Sequence, residues 1–224
     1  NLCMGPGRMM GVPISEAEAR IVAHVCGDGC IFSFLGKRYL NKSSPPRKNM
    51  TRMQYGVSFC NTEPSLINSF SDDVYKVYGR KAYKTKEHEV GLKAKWIYQR
   101  LKCLGAGKSR EWFVCDEILK AEKPIIREWL RAFFDDEAYV DLRDFRISVN
   151  SVNPNGLKQA QEMLKKFGIE NTSFNGPYRY KKCISYRLTI LKEDVERFRV
   201  YIGFNHPKKV RDLEELLDLR AMTL

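Results

Sequence analysis

The sequence lacks the residue groupings that build metal clusters and redox pairs. Its seven cysteines include no pair spaced C-x-x-C, and its three histidines, His24, His88 and His206, are scattered. Zinc sites need ligands at short, fixed spacings, so this pattern argues against one. The cysteines are expected mostly as small buried apolar residues, with Cys26 and Cys30 near the first acidic motif as the two whose redox chemistry stays open. Also lacking is any apolar run of transmembrane length. The opening NLCMGPGRMMGVP places glycine and proline where a secretory leader needs an unbroken apolar stretch, so an intracellular protein is expected. The segment 5–11, GPGRMMG, has glycines but no Gly-Lys-Ser/Thr and no preceding strand, which excludes a phosphate loop and leaves a flexible tail. Acidic residues are in short supply. Lys and Arg outnumber Asp and Glu by 39 to 27, a net charge of +12 over 224 residues. That surplus favours a polyanionic partner, DNA or RNA before anionic lipid. The apolar and aromatic fractions, 43% and 12%, are those of a chain with a real core.

What is present is a repeat. Ile21 to Gly29 reads IVAHVCGDG, and Leu130 to Ala138 reads LRAFFDDEA. Each is an apolar helical stretch that ends in an acid, Asp28 or Glu137, and runs into an expected strand. The order around each copy is the same. Ser15 with Glu18 reads as a capping box opening the first helix. A basic hairpin from about Cys30 to Asn61 follows, with six basic residues and no acid between Gly29 and Thr62. Pro64 opens a helix ending at Tyr78-Gly79. A second basic hairpin at about Arg80 to Val90 and a helix at about Lys93 to Leu104 complete the unit. In the second copy Pro124 opens the motif helix, FRISVNS is a strand, and Pro154 opens a helix ending at Phe167-Gly168. FNGPYRYKKCISYRLTILK is a hairpin with five basic residues and no acid, followed by helices from about Glu193 and over about Lys208 to Leu219. Val57 to Leu66 aligns with Ile147 to Leu157 within one to two residues. The fold class expected is α+β, as two pseudo-symmetric αββαββα halves: a tail over 1–14, a first half over 15–107, a linker over 108–123 and a second half over 124–224.

Two carboxylates at helix C-termini repel each other and the negative ends of the helices. A bound cation makes the arrangement favourable, and Mg²⁺ suits oxygen ligands. Ala19 and Ala23, spaced i, i+4, would let the partner helix approach closely. Either acid alone is also what an ordinary solvated turn or helix end looks like; the matched pair is the informative feature.

Together the two motifs and the matched strands resemble the LAGLIDADG homing endonucleases in their single-chain, two-motif form. Ala23, Asp28 and Gly29 follow the family pattern. Leu130, Ala132, Phe133, Phe134, Asp135 and Glu137 follow it in the second copy, which departs at Arg131 and Ala138. The resemblance implies motif helices packed side by side and curved antiparallel sheets forming a DNA-binding saddle. It implies hydrolysis of both DNA strands with Mg²⁺ (or Mn²⁺) at a long, pseudo-palindromic site, by a monomer acting as a pseudo-dimer. Asp28 and Glu137 would be catalytic and metal-holding, with Gly27 and Asp136 beside them in the metal set. Lys108 and Lys209 are the lysines it points to near the scissile phosphates, and Asn61 is the polar candidate at the first strand end. The hairpins would enter the major groove as ribbons, with Arg38, Arg47, Lys48, Arg52, Arg80, Lys84, Lys86, Arg143, Arg146, Arg179, Lys181, Lys182 and Arg187 as DNA contacts. The chain lacks the nucleophilic first residue and terminal His-Asn of a complete intein, so an intron-encoded or freestanding enzyme is expected. An RNA maturase and a non-enzymatic DNA-binding protein of the same fold stay open, as does an unrelated basic RNA-binding protein.

Overall fold

A computed structural model describes residues 12–37, 51–181, 183–191 and 193–222. Arg38, Arg47, Lys48 and Lys182 lie outside the described residues, as does most of the expected tail over 1–14. Among the described residues the first half runs α1 (Glu16–Cys26), β1 (Gly29–Lys37), β2 (Thr51–Cys60), α2 (Pro64–Tyr78), β3 (Tyr83–Lys86), β4 (Glu89–Leu92) and α3 (Lys95–Cys103). The second runs α5 (Lys123–Glu137), β5 (Ala138–Asp141), β6 (Arg146–Ser151), α6 (Pro154–Lys165), β7 (Thr172–Tyr180), β8 (Cys183–Leu191), α7 (Asp194–Tyr201) and α8 (Pro207–Ala221). Between them lies a short helix, α4 (Asp116–Leu119), inside the stretch expected as plain linker. The strands form two four-stranded antiparallel sheets, β1-β2-β4-β3 and β5-β6-β8-β7, with the same connection order in each.

Local chemistry explains the boundaries. The Ser15 side chain accepts the Glu18 amide at 3.2 Å and starts α1. Only half of the expected capping box forms, because the Glu18 carboxylate is taken by Arg100 and the Tyr78 hydroxyl. Proline opens α2, α5, α6 and α8 at the first turn, where its missing N–H costs nothing. Gly79 and Gly168, the two aromatic-glycine ends, both adopt positive φ, +63° and +72°.

The motif helices α1 and α5 pack against each other along the seam. Ala19 and Ala23 are fully buried there, as is Ala132. Phe133, Trp129 and Trp112 stack on the α5 side, with Trp129 and Phe133 centroids 5.1 Å apart. On each sheet the face toward the helices is apolar: Ile31, Val57, Phe59, Val90 and Leu92 in the first, Ile147, Val149, Leu188 and Ile190 in the second. Side chains alternate along a strand. The other set therefore lines an open face on each sheet. Arg131, where the resemblance implied a small residue, turns off the seam, donating to the Ile202 carbonyl and to Glu128.

The motif ends differ. A Cβ on Gly29 would stand 2.7 Å from the Val25 Cα and 2.8 Å from the Ser58 carbonyl oxygen, both backbone atoms. Its counterpart Ala138 is extended (φ −84°, ψ 153°) and simply buried. Gly29→Ala is expected to cost about 2 kcal/mol, in the range of overpacking. Ala138→Gly should cost about 1 kcal/mol or less. Denaturant midpoints of the two variants check this, and equal losses would contradict the asymmetry.

Most described cysteines depart from expectation. Cys26 and Cys115 are buried, but Cys30, Cys60, Cys103 and Cys183 are exposed. Cys30 lies 3.3 Å from the Ser58 hydroxyl on the open face of the first sheet, so alternation, not hydrophobicity, sets its side.

Candidate active site at the helix seam

The two motif acids emerge where α1 and α5 end. Asp28 directly follows the Gly27 cap of α1, and Glu137 is the last residue of α5. Asn61, just beyond β2, donates its side-chain amide to Asp28 Oδ2 at 3.0 Å. The carboxyl of Asp28 is raised to about 6, first by burial, then by the charge of Asp136. Glu137 is raised to about 7, first by burial, then by Asp28 and Asp136. Each half thus brings an acid into the other's field.

Asp136 departs from its expected place in the metal set. Its side chain is 0% exposed and points across the seam, where its oxygens lie 3.0 and 3.1 Å from His24 Nδ1. The Asp28 backbone amide also steadies it, and Asn61 reaches it at 3.5 Å. The physical reason is Gly27: a Cβ there would lie 2.8 Å from Asp136 Oδ2 and 2.9 Å from its Cβ. Burial works against a charge on His24. The attraction of Asp136, its hydrogen bond, and the charges of Asp135 and Asp73 outweigh that and raise the imidazole above its ordinary range. Asp136 is thereby a positioning group beneath the two acids.

Lys209 reaches this cluster, and Lys108 does not. Lys209 Nζ donates to the carbonyls of Phe134, Asp135 and Asp136 at 3.2, 2.6 and 3.2 Å. An ammonium has three protons, so all of them serve the C-terminus of α5. The expected phosphate-directed lysine is therefore a fixed charge behind the acids. Burial lowers its pKa, against the pull of Asp136, Asp135, Asp28 and Glu137. Lys108 is an exposed turn residue and does not figure among the charges acting on either motif acid. Sequence reasoning missed the supporting acid Asp135. Its Oδ1 accepts the amides of Asn205 and His206 at 2.8 and 2.9 Å, tying α5 to the start of α8. The signal for it was a carboxylate on the apolar face of a motif helix.

The expected DNA contacts sort by position. Arg52, Arg80, Lys84, Lys86, Arg143, Arg179 and Lys181 are exposed, and Arg187 is half-buried. Arg187 donates to Asn150 at 3.0 Å and lies 5.4 Å over the Tyr178 ring. Arg146 is already paired, with Asp141 at 3.0 Å and Asp144 at 2.6 Å. Among the described residues, no three His, Cys, Asp or Glu side chains cluster as a metal cage.

Residues 124–203 match the model of the LAGLIDADG-like domain. The chain superposes on the homing endonuclease I-DmoI, solved in complex with DNA and Mn, with a TM-score of 0.62 and 14% identity over 84% of this chain and 96% of that one. The chain has the LAGLIDADG fold. The same fold extends to full-length DUF199/WhiA from Thermotoga maritima, with a TM-score of 0.54 and 12% identity over 96% of this chain and 65% of that one. The chain is also 31% identical over 97 residues to a probable translation initiation factor IF-2 of Thermococcus kodakarensis. There it covers 43% of its own length but 8% of the relative's. Further curated matches are likewise partial: the chain spans 42% and 18% of their lengths. No helix among the described residues is long and apolar enough to cross a membrane.

The donor set beside the two LAGLIDADG helices fits a hard divalent cation. Asp28 and Glu137 offer oxygens only, their repulsion is not cancelled, and the nearby ammonium of Lys209 is committed elsewhere.

Proposed function

We propose that this protein is a site-specific double-strand DNA endonuclease, acting as a monomer in which the two halves face the two halves of a long, pseudo-palindromic site. The observation that carries this reading is that the two motif ends meet at the seam: the Asn61 amide reaches both Asp28, at 3.0 Å, and Asp136, the neighbour of Glu137, at 3.5 Å. One carboxylate per half is what cleavage of two strands about a pseudo-two-fold axis requires.

Asp28 and Glu137 would hold the cation, Mg²⁺ or Mn²⁺, with the Gly27 carbonyl. Such a cation supplies an activated water and neutralises charge on the leaving oxygen. The chain's own residues do the placing. Asn61 orients the Asp28 carboxylate, Asp136 and His24 fix the helix crossing under it, and Lys209 holds the end of α5 that carries Glu137. The exposed basic residues Arg52, Arg80, Lys84, Lys86, Arg143 and Arg179 would supply phosphate contacts and salt-dependent affinity.

The test is digestion of a plasmid library with randomised inserts, in Mg²⁺, in Mn²⁺ and in EDTA. Cutting at one recoverable site, lost in EDTA, is the expected result. Specific retention of a site with no cutting in either metal would remove the nuclease reading and leave a DNA-binding protein. Since a fold hosts more than one activity, the likeness to DUF199/WhiA makes this control necessary.

A further inference from the structure

The open faces of the two sheets carry different chemistry at equivalent places. In the first sheet Cys30, Phe32 and Phe34 stand opposite Ser58, Gly56 and Gln54, alternating with the core residues Ile31, Val57 and Phe59. The Phe32 ring lies over Gly56, where a Cβ would fall 2.4 Å from the ring. Phe34 stacks beside it, with centroids 6.0 Å apart and planes at 30°, and stays 49% exposed. Gly36 and Gly91 leave the surrounding floor without side chains. The Phe32–Gly56 pair lies three steps beyond Gly29–Phe59. The counterpart three steps beyond Ala138–Val149 is Asp141–Arg146, an ion pair at 3.0 Å. Around it the second face offers the hydrogen-bonding groups of Asn150, Asn175 and Arg187, the last lying over the exposed Tyr178 ring.

We infer that the first half of the protein reads thymine 5-methyl groups through Phe32 and Phe34, whereas the second half reads its half-site by hydrogen bonds. This rests on the DNA-binding reading above. In the major groove the methyl group of thymine is the one apolar feature of a base edge, and phenylalanine is among the side chains that meet it. Two rings rising from a glycine floor, on a strand pair flanked by the exposed Arg52, have shape and apolar area to offer and few polar groups. An exposed aromatic pair can also stack on unpaired bases. The paired sheet geometry and the polar partner face favour duplex DNA.

The experiment uses the full chain. Bound duplexes are selected from a randomised library in Ca²⁺, and the recovered site is resynthesised with uracil for thymine in one half-site at a time. Burial of a methyl group is worth about 0.8 kcal/mol, or about fourfold in affinity. The expected result is a loss of about fourfold per contacted thymine in one half-site and no change in the other. Phe34→Ser should abolish that discrimination, and Arg187→Ala should weaken only the other half-site. Phe34 is exposed, so its replacement leaves the core intact; Phe32→Thr is the second variant. Equal binding of thymine and uracil versions would overturn the inference while leaving DNA recognition standing. Discrimination that survives Phe34→Ser and Phe32→Thr would overturn it equally. Recovery of no duplex, with binding of single-stranded RNA instead, would remove both this inference and the DNA reading.

Discussion

Glu137→Gln is expected to abolish the proposed cleavage and at the same time to make the metal-free protein more stable at pH 7.5. The first effect should reach about a thousandfold, the upper range for loss of one preorganised charge-bearing group. DNA affinity should hold within about tenfold, because it rests on basic contacts. The second effect follows from linkage. Glu137 is raised to about 7 and Asp28 to about 6 in the folded protein, against about 4 for such groups in an unfolded chain. Between about pH 4 and 7 the folded state therefore binds more protons than the unfolded one, and stability falls as pH rises. Glutamine removes the Glu137 share of that loss. A shift of this size on a fully buried group would be worth about 3 kcal/mol. Halved for partial exposure, it becomes about 1.5 kcal/mol, or a rise of about 4 °C in Tm. The gain should vanish below about pH 4, where Glu137 is protonated in the folded and unfolded wild type alike, and Mg²⁺ should raise the Tm of the wild type more than that of the variant. Thermal melts across pH, with and without metal, read all of this. A variant less stable than wild type at pH 7.5 would show that Glu137 is a satisfied helix end and not a strained acid.

Arg20→Ala is expected to lower Tm by about 10 °C. Arg20 on α1 binds Asp73 of α2 through two bonds of 2.7 Å and Glu128 of α5 at 2.8 Å. The two acids are 8% and 6% exposed. Removing Arg20 strands Asp73, whereas Glu128 keeps Arg131 at 3.0 Å and Arg127 at 3.1 Å; losing one partner of a buried ion pair typically costs about 3–5 kcal/mol. At about 2–4 °C per kcal/mol for a chain of this size, the change is large. Arg20→Lys should restore little, since an ammonium cannot make the two-pronged contact with Asp73 while holding Glu128. Scanning calorimetry of both variants checks this; a shift under about 3 °C would mean that solvent already satisfies Asp73.

Much of the architecture was legible in the sequence because the chain spells it twice. Ser15 and the prolines at 64, 124 and 154 mark helix starts, and Gly79 and Gly168 mark two helix ends. Acid-free basic stretches outline the long hairpins. The motif acids were legible for the same reason. What the sequence could not convey was the company they keep. His24 and Asp136 are 112 positions apart and meet only once the helices cross, so Asp136 read as a second ligand when its carboxylate faces inward. Lys209 was placed at the right end of the molecule, but its three protons turn to carbonyls that no side-chain pattern encodes. Arg146 read as one more basic contact because Asp141 and Asp144 become its partners through the β5–β6 turn. Short elements such as α4 escaped because four residues give no period to detect.

The seam has one further consequence. Gly27 and Asp136 hold corresponding places on the two motif helices, and Phe133 holds the place of His24. Two copies of the first half, set face to face, would leave both imidazoles with no carboxylate to meet. Two copies of the second would drive Asp136 against Asp136 with a phenyl ring for company. Repetition in the sequence has thus become dependence in the molecule: neither half keeps the option of pairing with its own kind, and only the mixed pair closes.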